Sequence, residues 1–378
     1  MRWHAWLKRD TVMIRLLIVD DSALMRRHLH QLFEAEGDFV LDTARNGVEA
    51  IERARQFDPD VITLDINMPE MDGLTCLSML MAEQPRPVVM FSSLTEQGAM
   101  ASLEALALGA VDFFAKPGGT ISLNIDQVRE CLVDKVRAAA GARMKRTRRP
   151  QLRNATAVQA EAAPKQAPAA DLAPVGNGLV VVGSSTGGPR TLEEIFAQLP
   201  ASFPWPVVVA QHMPANFTRA FAERMDRVAQ LTVVEANRPM PLEAGKIYIG
   251  MGNSDVVIGT RVGKPYVMPK PENAGYLWHP SVSLLVSTAM QHFAPNQLIG
   301  VMLTGMGHDG ADEMAELKRR GGRTVAESKD TAVVFGMPAE LIRRDGASEI
   351  QPCHAIAATL IQWCARQSTS SKGVSSWR

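Results

Sequence analysis

Apolar residues along the chain fall into short blocks separated by amphipathic stretches. From Ile14 to about Arg137, the blocks Leu16–Val19, Phe39–Thr43, Val61–Leu64, Val88–Phe91 and Val111–Phe114 read as strands. Between them, Met25, Leu29, Leu32 and Phe33 recur at helical spacing, as do Leu74, Leu77 and Met81. Five strands alternating with helices predict a doubly wound parallel sheet covered on both faces. Right-handed crossovers then gather the strand C-terminal ends along one edge, where ligands bind.

The pattern stops between about Ala138 and Val175. This stretch holds the basic run Lys145-Arg146-Thr147-Arg148-Arg149, then Ala, Pro and Gln without large apolar residues. Such a composition cannot form a core and predicts a semi-extended linker. The basic run reads as a solvated charge cluster. Alternation resumes from Gly178 to about Gln367. Leu179–Val182, Val207–Ala210, Leu231–Glu235, Lys246–Ile249 and Leu298–Leu303 are expected to be buried strands. Asp255–Gly259 and Pro265–Met268 form a candidate hairpin turning at Arg261–Lys264. Helices are expected after Pro189, Pro214, Pro280 and Gly310. The predicted division is therefore a first domain over 13–137, a linker over 138–175 and a second α/β/α domain with a mostly parallel sheet over 176–367. Residues 1–12 and 368–378 are expected to be disordered tails, and Met13 is the expected natural start.

Composition narrows the function. The 378 residues carry 40 Lys+Arg and 40 Asp+Glu, a formal net charge of zero. That disfavours nucleic acid as the main partner. Cys76, Cys131, Cys353 and Cys364 lie far apart with no C-x-x-C pair. Neither a disulfide framework nor a structural zinc site is expected, and a reducing cytoplasm fits. No apolar run reaches the roughly 18–20 residues needed to span a bilayer, and Met1–Val12 lacks the apolar region of a signal peptide. Membrane insertion is not expected.

In the first domain, Asp20 and Asp21 end the first strand, Asp65 the third and Ser92 the fourth, while Lys116-Pro117 follows the fifth. Singly, a strand-end Asp could cap the next helix. Together, three carboxylates at one edge repel one another unless a hard divalent cation sits among them. Carboxylate, metal and ammonium are the parts of a phosphoryl-transfer site. With the Met68-Pro69-Glu70-Met71-Asp72-Gly73 loop, the segment resembles the response-regulator receiver domain, a flavodoxin-like fold. The resemblance implies Asp65 as phospho-acceptor. It implies Mg²⁺ held by Asp21, Asp65 and the backbone of Asn67, with Asp20 in support. Ser92 is then the switch hydroxyl and Lys116 the phosphate's ammonium partner.

In the second domain, Gly183-Ser184-Ser185-Thr186-Gly187 satisfies G-x-S-x-G after a strand, with Gly188-Pro189 opening a helix. Flanking glycines permit a strained turn that lifts the Ser185 hydroxyl from the sheet edge. The helix N-terminus behind offers unpaired N–H groups to an oxyanion. By itself the motif fits a nucleophile or a tight turn. No phosphate-loop pattern accompanies it. Serine needs a base, and a base needs a group that fixes its tautomer. His212 follows the next strand, beside Ser185 if the two strands are adjacent. Asp309 follows another apolar strand. Alone, His212 reads as structural and Asp309 as a helix cap. With Ser185 they form a nucleophile, base and orienting carboxylate in the order Ser, His, Asp.

The stretches Gly183–Pro189, Gln211-His212-Met213, Leu303–Ala311 and Val334-Phe335-Gly336-Met337-Pro338 resemble the catalytic domain of the chemotaxis protein-glutamate methylesterase. The resemblance implies Ser185 as nucleophile, His212 as base and acid, Asp309 as orienting group, and a backbone N–H near Met306 as an oxyanion donor. It implies hydrolysis of glutamyl methyl esters, and deamidation of glutamines, on methyl-accepting chemoreceptors. It implies phosphorylation of the receiver by the chemotaxis histidine kinase and activation of the esterase, which itself needs no cofactor. Where this family often has Arg-Pro-Ser-Val-Asp, the chain has His279-Pro280-Ser281-Val282-Ser283. Two charges are lost, expected to lie near the mouth of the site and to alter substrate contacts. His308 reads as a rim residue.

Two other functions compete with this reading. A DNA-binding response regulator needs a helix-turn-helix and a basic output domain, and neither is found. A non-catalytic scaffold that docks a kinase and receptors differs from the enzyme in its independence of Ser185.

Overall fold

The computed structural model describes residues 13–93, 95–116, 129–142, 144 and 178–370. Met1–Val12, Pro117, the Lys145–Arg149 run, the Ala/Pro/Gln stretch and residues 371–378 lie outside the described residues.

In the first half, β1 (Ile14–Val19), β2 (Phe39–Ala44), β3 (Val61–Asp65), β4 (Val88–Ser92) and β5 (Asp112–Ala115) form one parallel sheet in the order β2-β1-β3-β4-β5. Helices α1 (Ala23–Glu34), α2 (Gly47–Phe57), α3 (Gly73–Glu83), α4 (Glu96–Leu108) and α5 (Arg129–Ala140) connect or follow these strands. Central strands β3 and β4 are buried at every position, as a sheet covered on both faces requires. Each of α1 to α4 starts on a side chain that accepts an orphan helix amide: Ser22, Asn46, Asp72 and Thr95. In α1 the four residues expected inside, Met25, Leu29, Leu32 and Phe33, are the buried ones. In α3 Leu77 is buried with Cys76 and Leu80, while Leu74 and Met81 are only partly covered. Helix α5 continues to Ala140, past the expected boundary at 137.

In the second half, seven parallel strands form a sheet in the order β15-β14-β13-β6-β7-β10-β8. They are β6 (Leu179–Ser184), β7 (Val207–Gln211), β8 (Thr232–Ala236), β10 (Lys246–Gly250), β13 (Leu298–Met302), β14 (Arg323–Glu327) and β15 (Glu349–Gln351). The expected hairpin is present as β11 (Asp255–Arg261) and β12 (Lys264–Lys270), joined by a turn with positive φ at Val262 and Gly263. It pairs with the short β9 (Met240–Pro241) in a separate antiparallel sheet.

Alternate residues of the buried strands feed two cores. Val180, Val182 and Val209 pack with α6 (Gly188–Phe196), α7 (Ala215–Val228) and α11 (Cys353–Ser370). Leu179, Val181 and Val208 pack with α8 (Val282–His292), α9 (Ala311–Arg319) and α10 (Met337–Arg343). Helices α6 to α9 begin where proline or glycine predicted them. Strands β9, β14 and β15 and helices α10 and α11 were not expected. Helix α11 carries the chain to Ser370, so residues 368–370, expected in a disordered tail, are helical.

The halves touch each other. Helix α4 lies against α6 and α7. Phe113 of β5 stacks on Phe217 of α7, with centroids 4.4 Å apart and planes at 20°. No helix among the described residues is long and apolar enough to cross a membrane.

Candidate active site and phospho-acceptor site

The sheet order puts β6 between β13 and β7. Ser185, His212 and the turn leading to Asp309 therefore leave three neighbouring strands at one edge. The register is continuous there. Ser184 pairs with Gln211, His212 N donates to Ser184 O at 3.0 Å, and Ser185 N donates to Thr304 O at 3.0 Å. Adjacent strands lie roughly 4.8 Å apart, so Ser185 and His212 emerge side by side. Gly187 has φ +80° and caps α6. A Cβ on Gly187 would meet Val333 at 2.7 Å, and one on Gly305 would meet the Ser185 Cβ at 2.7 Å. The turn therefore needs glycine both behind and beside the serine.

His212 Nε2 lies 2.9 Å from Asp309 Oδ2. Asp309 is 4% exposed, yet it receives a full set of donors. Val282 N reaches Oδ2 at 2.7 Å, while Ser283 N at 2.9 Å and the Ser281 hydroxyl at 3.2 Å reach Oδ1. Asp309 is not the cap of α9, which begins on Gly310. It sits instead on the N-terminus of α8, where helix amides and dipole favour negative charge. Burial alone would raise its pKa. The hydrogen bond and charge of His212 and the amides of Ser283 and Val282 outweigh burial and hold it below the ordinary value.

An ionised carboxylate only accepts, so the Nε2 facing it carries the proton. The lone pair is then on Nδ1, which is buried without a hydrogen-bond partner among the described residues. The usual serine-hydrolase arrangement puts the carboxylate on Nδ1 and the hydroxyl on Nε2. Here the carboxylate meets Nε2 instead. Met306 follows Gly305 in the turn beside Ser185, and Gly305 O accepts from Gly336 N and Met337 N.

Three supporting residues were not singled out from sequence. Gln211 is buried and ties the turns together: Oε1 accepts from Ser184 Oγ at 2.6 Å, and Nε2 donates to Ser185 O and His212 O at 3.0 and 3.1 Å. Its only signal was a place in the Gln-His-Met match. Thr304 donates to Thr186 O at 2.9 Å. Trp278 lies flat against His212, with centroids 5.7 Å apart and planes at 4°. No periodicity announces it.

The expectation for His279 and Ser283 needs correction. Both turn inward rather than lining the mouth. His279 Nδ1 lies 2.9 Å from the fully buried Asp255, which also accepts from Asn273 N and Ser281 N. Ser283 Oγ donates to Glu313 at 2.7 Å and accepts from Gly310 N at 2.9 Å. Asp255, Glu313 and Gly310 claim these side chains, and neighbouring Trp278 lies against the imidazole.

At the other sheet edge, Asp20, Asp21 and Asp65 can bring carboxylate oxygens within 4.8 Å of one another. Lys116 Nζ bridges Asp20 and Asp65 at 2.8 Å each. Burial raises the Asp65 pKa, although Lys116 pulls it down. Burial would lower that of Lys116, but the two carboxylates outweigh it and raise it. This acidic cluster fits a Mg²⁺ ion, which prefers oxygen ligands. Asn67 follows β3 and is exposed. The buried Ser92 hydroxyl donates to Gly98 O of α4 at 2.9 Å.

A charge pair within the first half reaches the second half through Asp112. Lys135 of α5 holds Asp112 at 2.6 Å. Burial opposes the Lys135 charge, but Asp112 outweighs it and raises its pKa. Asp112 Oδ2 also accepts from the hydroxyl of Thr186, the residue after Ser185, at 2.5 Å.

Two family models match the chain: the response regulator receiver domain over residues 16–124 and the CheB methylesterase over residues 180–360. The chain is 55% identical over 360 residues to protein-glutamate methylesterase/protein-glutamine glutaminase 3 of Rhodospirillum rubrum, covering 94% of this chain and 97% of that protein. It is 51% identical over 362 residues to protein-glutamate methylesterase/protein-glutamine glutaminase 2 of Rhodopseudomonas palustris, covering 93% and 98%. It is 45% identical over 336 residues to protein-glutamate methylesterase/protein-glutamine glutaminase 3 of Vibrio cholerae, covering 88% and 91%.

Proposed function

The chain belongs to the CheB methylesterase family with a response-regulator receiver domain in front, and from that premise we propose a phosphorylation-controlled serine esterase of chemotaxis adaptation. Its substrates are methylated glutamates on chemoreceptors, and receptor glutamines by the same acyl chemistry. The observation that carries the reading is the convergence of Ser185, His212 and Asp309 from adjacent strands, with Asp309 on Nε2 and the imidazole lone pair left at Nδ1.

Ser185 attacks the side-chain carbonyl of the ester while His212 Nδ1 takes its proton. Asp309 stabilises the imidazolium through Nε2. The oxyanion is held by backbone N–H groups at Met306 and at the start of α6, each worth about 10²–10³ in rate. Collapse returns the proton to methoxide and releases methanol, or to the amide nitrogen and releases ammonia. Water, deprotonated by His212, then frees the glutamate. The hydroxyl and Nδ1 are not yet hydrogen-bonded, and such bonds often close only when substrate binds.

The receiver, 13–137 in this reading, takes a phosphoryl group on Asp65 from the chemotaxis histidine kinase. Asp21, Asp65 and the Asn67 backbone would hold Mg²⁺, with Asp20 in support. When bound, the ion neutralises charge on the transferring phosphoryl group. Lys116 pairs with the phosphate, and Ser92 leaves Gly98 O to follow it. The receiver restrains the second domain, 176–367, through its contacts at Phe113 and Asp112, and phosphorylation loosens them. The linker 138–175 keeps the two at high effective concentration. The chain works in the cytoplasm.

Methanol release from methylated receptors by a Ser185→Ala variant tests the reading. We expect the rate to fall to background. Release at the wild-type rate would leave a receptor-binding scaffold as the better description.

A further inference from the structure

The indole of Trp278 is parallel to the imidazole of His212, and its other contacts keep it there. His308 meets it edge-on at 5.4 Å and 86°. Gly307, at φ +83°, passes so close that a Cβ would lie 2.9 Å from the six-membered ring. Beyond Trp278, His279 is tied to Asp255, while Ser281, Val282 and Ser283 hold Asp309. One short segment therefore meets the imidazole on its face and, through the carboxylate, on its Nε2 edge.

We propose that Trp278 is a positioning residue of the esterase reaction, fixing the plane of the His212 ring so that Nδ1 can meet the Ser185 hydroxyl. A ring hydrogen-bonded through one nitrogen still pivots about that bond. A flat surface against its face removes the pivot, and small displacements of a reacting group are costly in rate. The same contact acts on charge. A cation within about 6 Å of an indole centroid is attracted to the negative face of the ring, and His212 becomes a cation when it takes the serine proton. Asp309 faces the imidazole at Nε2, and His308 meets Trp278 edge-on.

The inference rests on His212 being the base, so His212→Ala is assayed beside Trp278→Leu and Trp278→Phe in the full chain. The readouts are methanol release from methylated receptor and the melting temperature. We expect Trp278→Leu to lower kcat roughly tenfold with KM within about twofold. Trp278→Phe, which keeps a flat face, should recover most of the loss. A raised KM with unchanged kcat would make Trp278 a substrate contact and overturn the proposal. Wild-type kcat in the Leu variant would overturn it too, as would equal losses in both variants with a lowered melting temperature. Wild-type activity in His212→Ala would instead remove the base assignment on which the inference stands.

Discussion

Asp112, at the start of the receiver's last strand, accepts a hydrogen bond from the hydroxyl of Thr186, the residue after Ser185, at 2.5 Å. Both residues are buried, at 7% and 0% exposure. The bond joins the receiver to the turn that carries the serine. Lys135 holds the same carboxylate, so removing Asp112 would leave a partly buried ammonium without its partner. Thr186→Val is the cleaner probe. It keeps the shape and the Asp112–Lys135 pair and deletes only the donor. A hydrogen bond to a charged group contributes about 1.5–3 kcal/mol, so the closed arrangement should weaken by a factor of roughly ten or more. We expect the unphosphorylated Thr186→Val chain to release methanol about tenfold faster than wild type, with a smaller difference after phosphorylation. Equal basal rates would separate this contact from regulation.

Ser92 gives a second handle on the switch. Its hydroxyl is spent on Gly98 O, and a Cβ on Gly98 would lie 2.8 Å from it. Phosphorylation of Asp65 offers a stronger, charged acceptor. Ser92→Ala should therefore still take label from acetyl phosphate on Asp65 while showing only a few-fold activation of the esterase. Full activation at equal labelling would show that the hydroxyl does not carry the signal. Asp65→Asn, assayed in parallel, should take no label.

Much of this arrangement was legible from spacing, for a physical reason. In a parallel sheet the C-terminal end of every buried run faces one edge, so locating the runs also locates Asp20, Asp65, Ser92, Ser185 and His212. What escaped depends on contacts that spacing does not encode. Strand β14 includes Arg323, Thr324 and Glu327, and its Glu327 is fully buried, against the usual cost of such burial. Strand β15 offers one apolar residue, Ile350, and that residue is 51% exposed. Helix α11 did carry a signal in Cys353, Ile356, Leu360 and Trp363 at helical spacing, all buried. The Asp112–Thr186 bond spans 74 residues and two domains. The inward turn of His279 depends on buried Asp255, which reads only as the start of a hairpin strand.

The cysteines should differ in reactivity. Burial pushes the thiols of Cys76 and Cys364 up to about 12. At pH 8 a thiol of that pKa is ionised in only about one molecule in 10⁴, and the thiolate is the reactive form. Cys353 is buried as well; burial also raises the Cys131 thiol, but that residue alone of the four is exposed, on α5. Titration of the native chain with a disulfide reagent at pH 8 should consume about one thiol equivalent quickly and the remainder only on unfolding in urea. Rapid loss of all the thiols in the native chain would contradict the packing described.

Asp309→Asn tests the contact of the carboxylate with Nε2. Oδ2 of Asp309 accepts from two donors, His212 Nε2 and Val282 N. An asparagine that turns its NH₂ there sets donor against donor. One that turns its oxygen there puts the NH₂ against Ser283 N, which now donates to Oδ1. If the imidazole moves its proton to Nδ1 to accept from the amide, the lone pair proposed to serve Ser185 is lost. We expect kcat to fall by about 10⁴ with the fold intact. Stability follows a definite sign. The folded pKa of Asp309 lies below its ordinary value of 3.8, so its ionised form stabilises the fold above that value. The contribution fades as pH drops through the depressed folded pKa. The gap in urea midpoint between wild type and Asp309→Asn should therefore be widest near neutral pH and narrow below about pH 4. A gap independent of pH would mean that the carboxylate is not held ionised by His212 and the α8 amides.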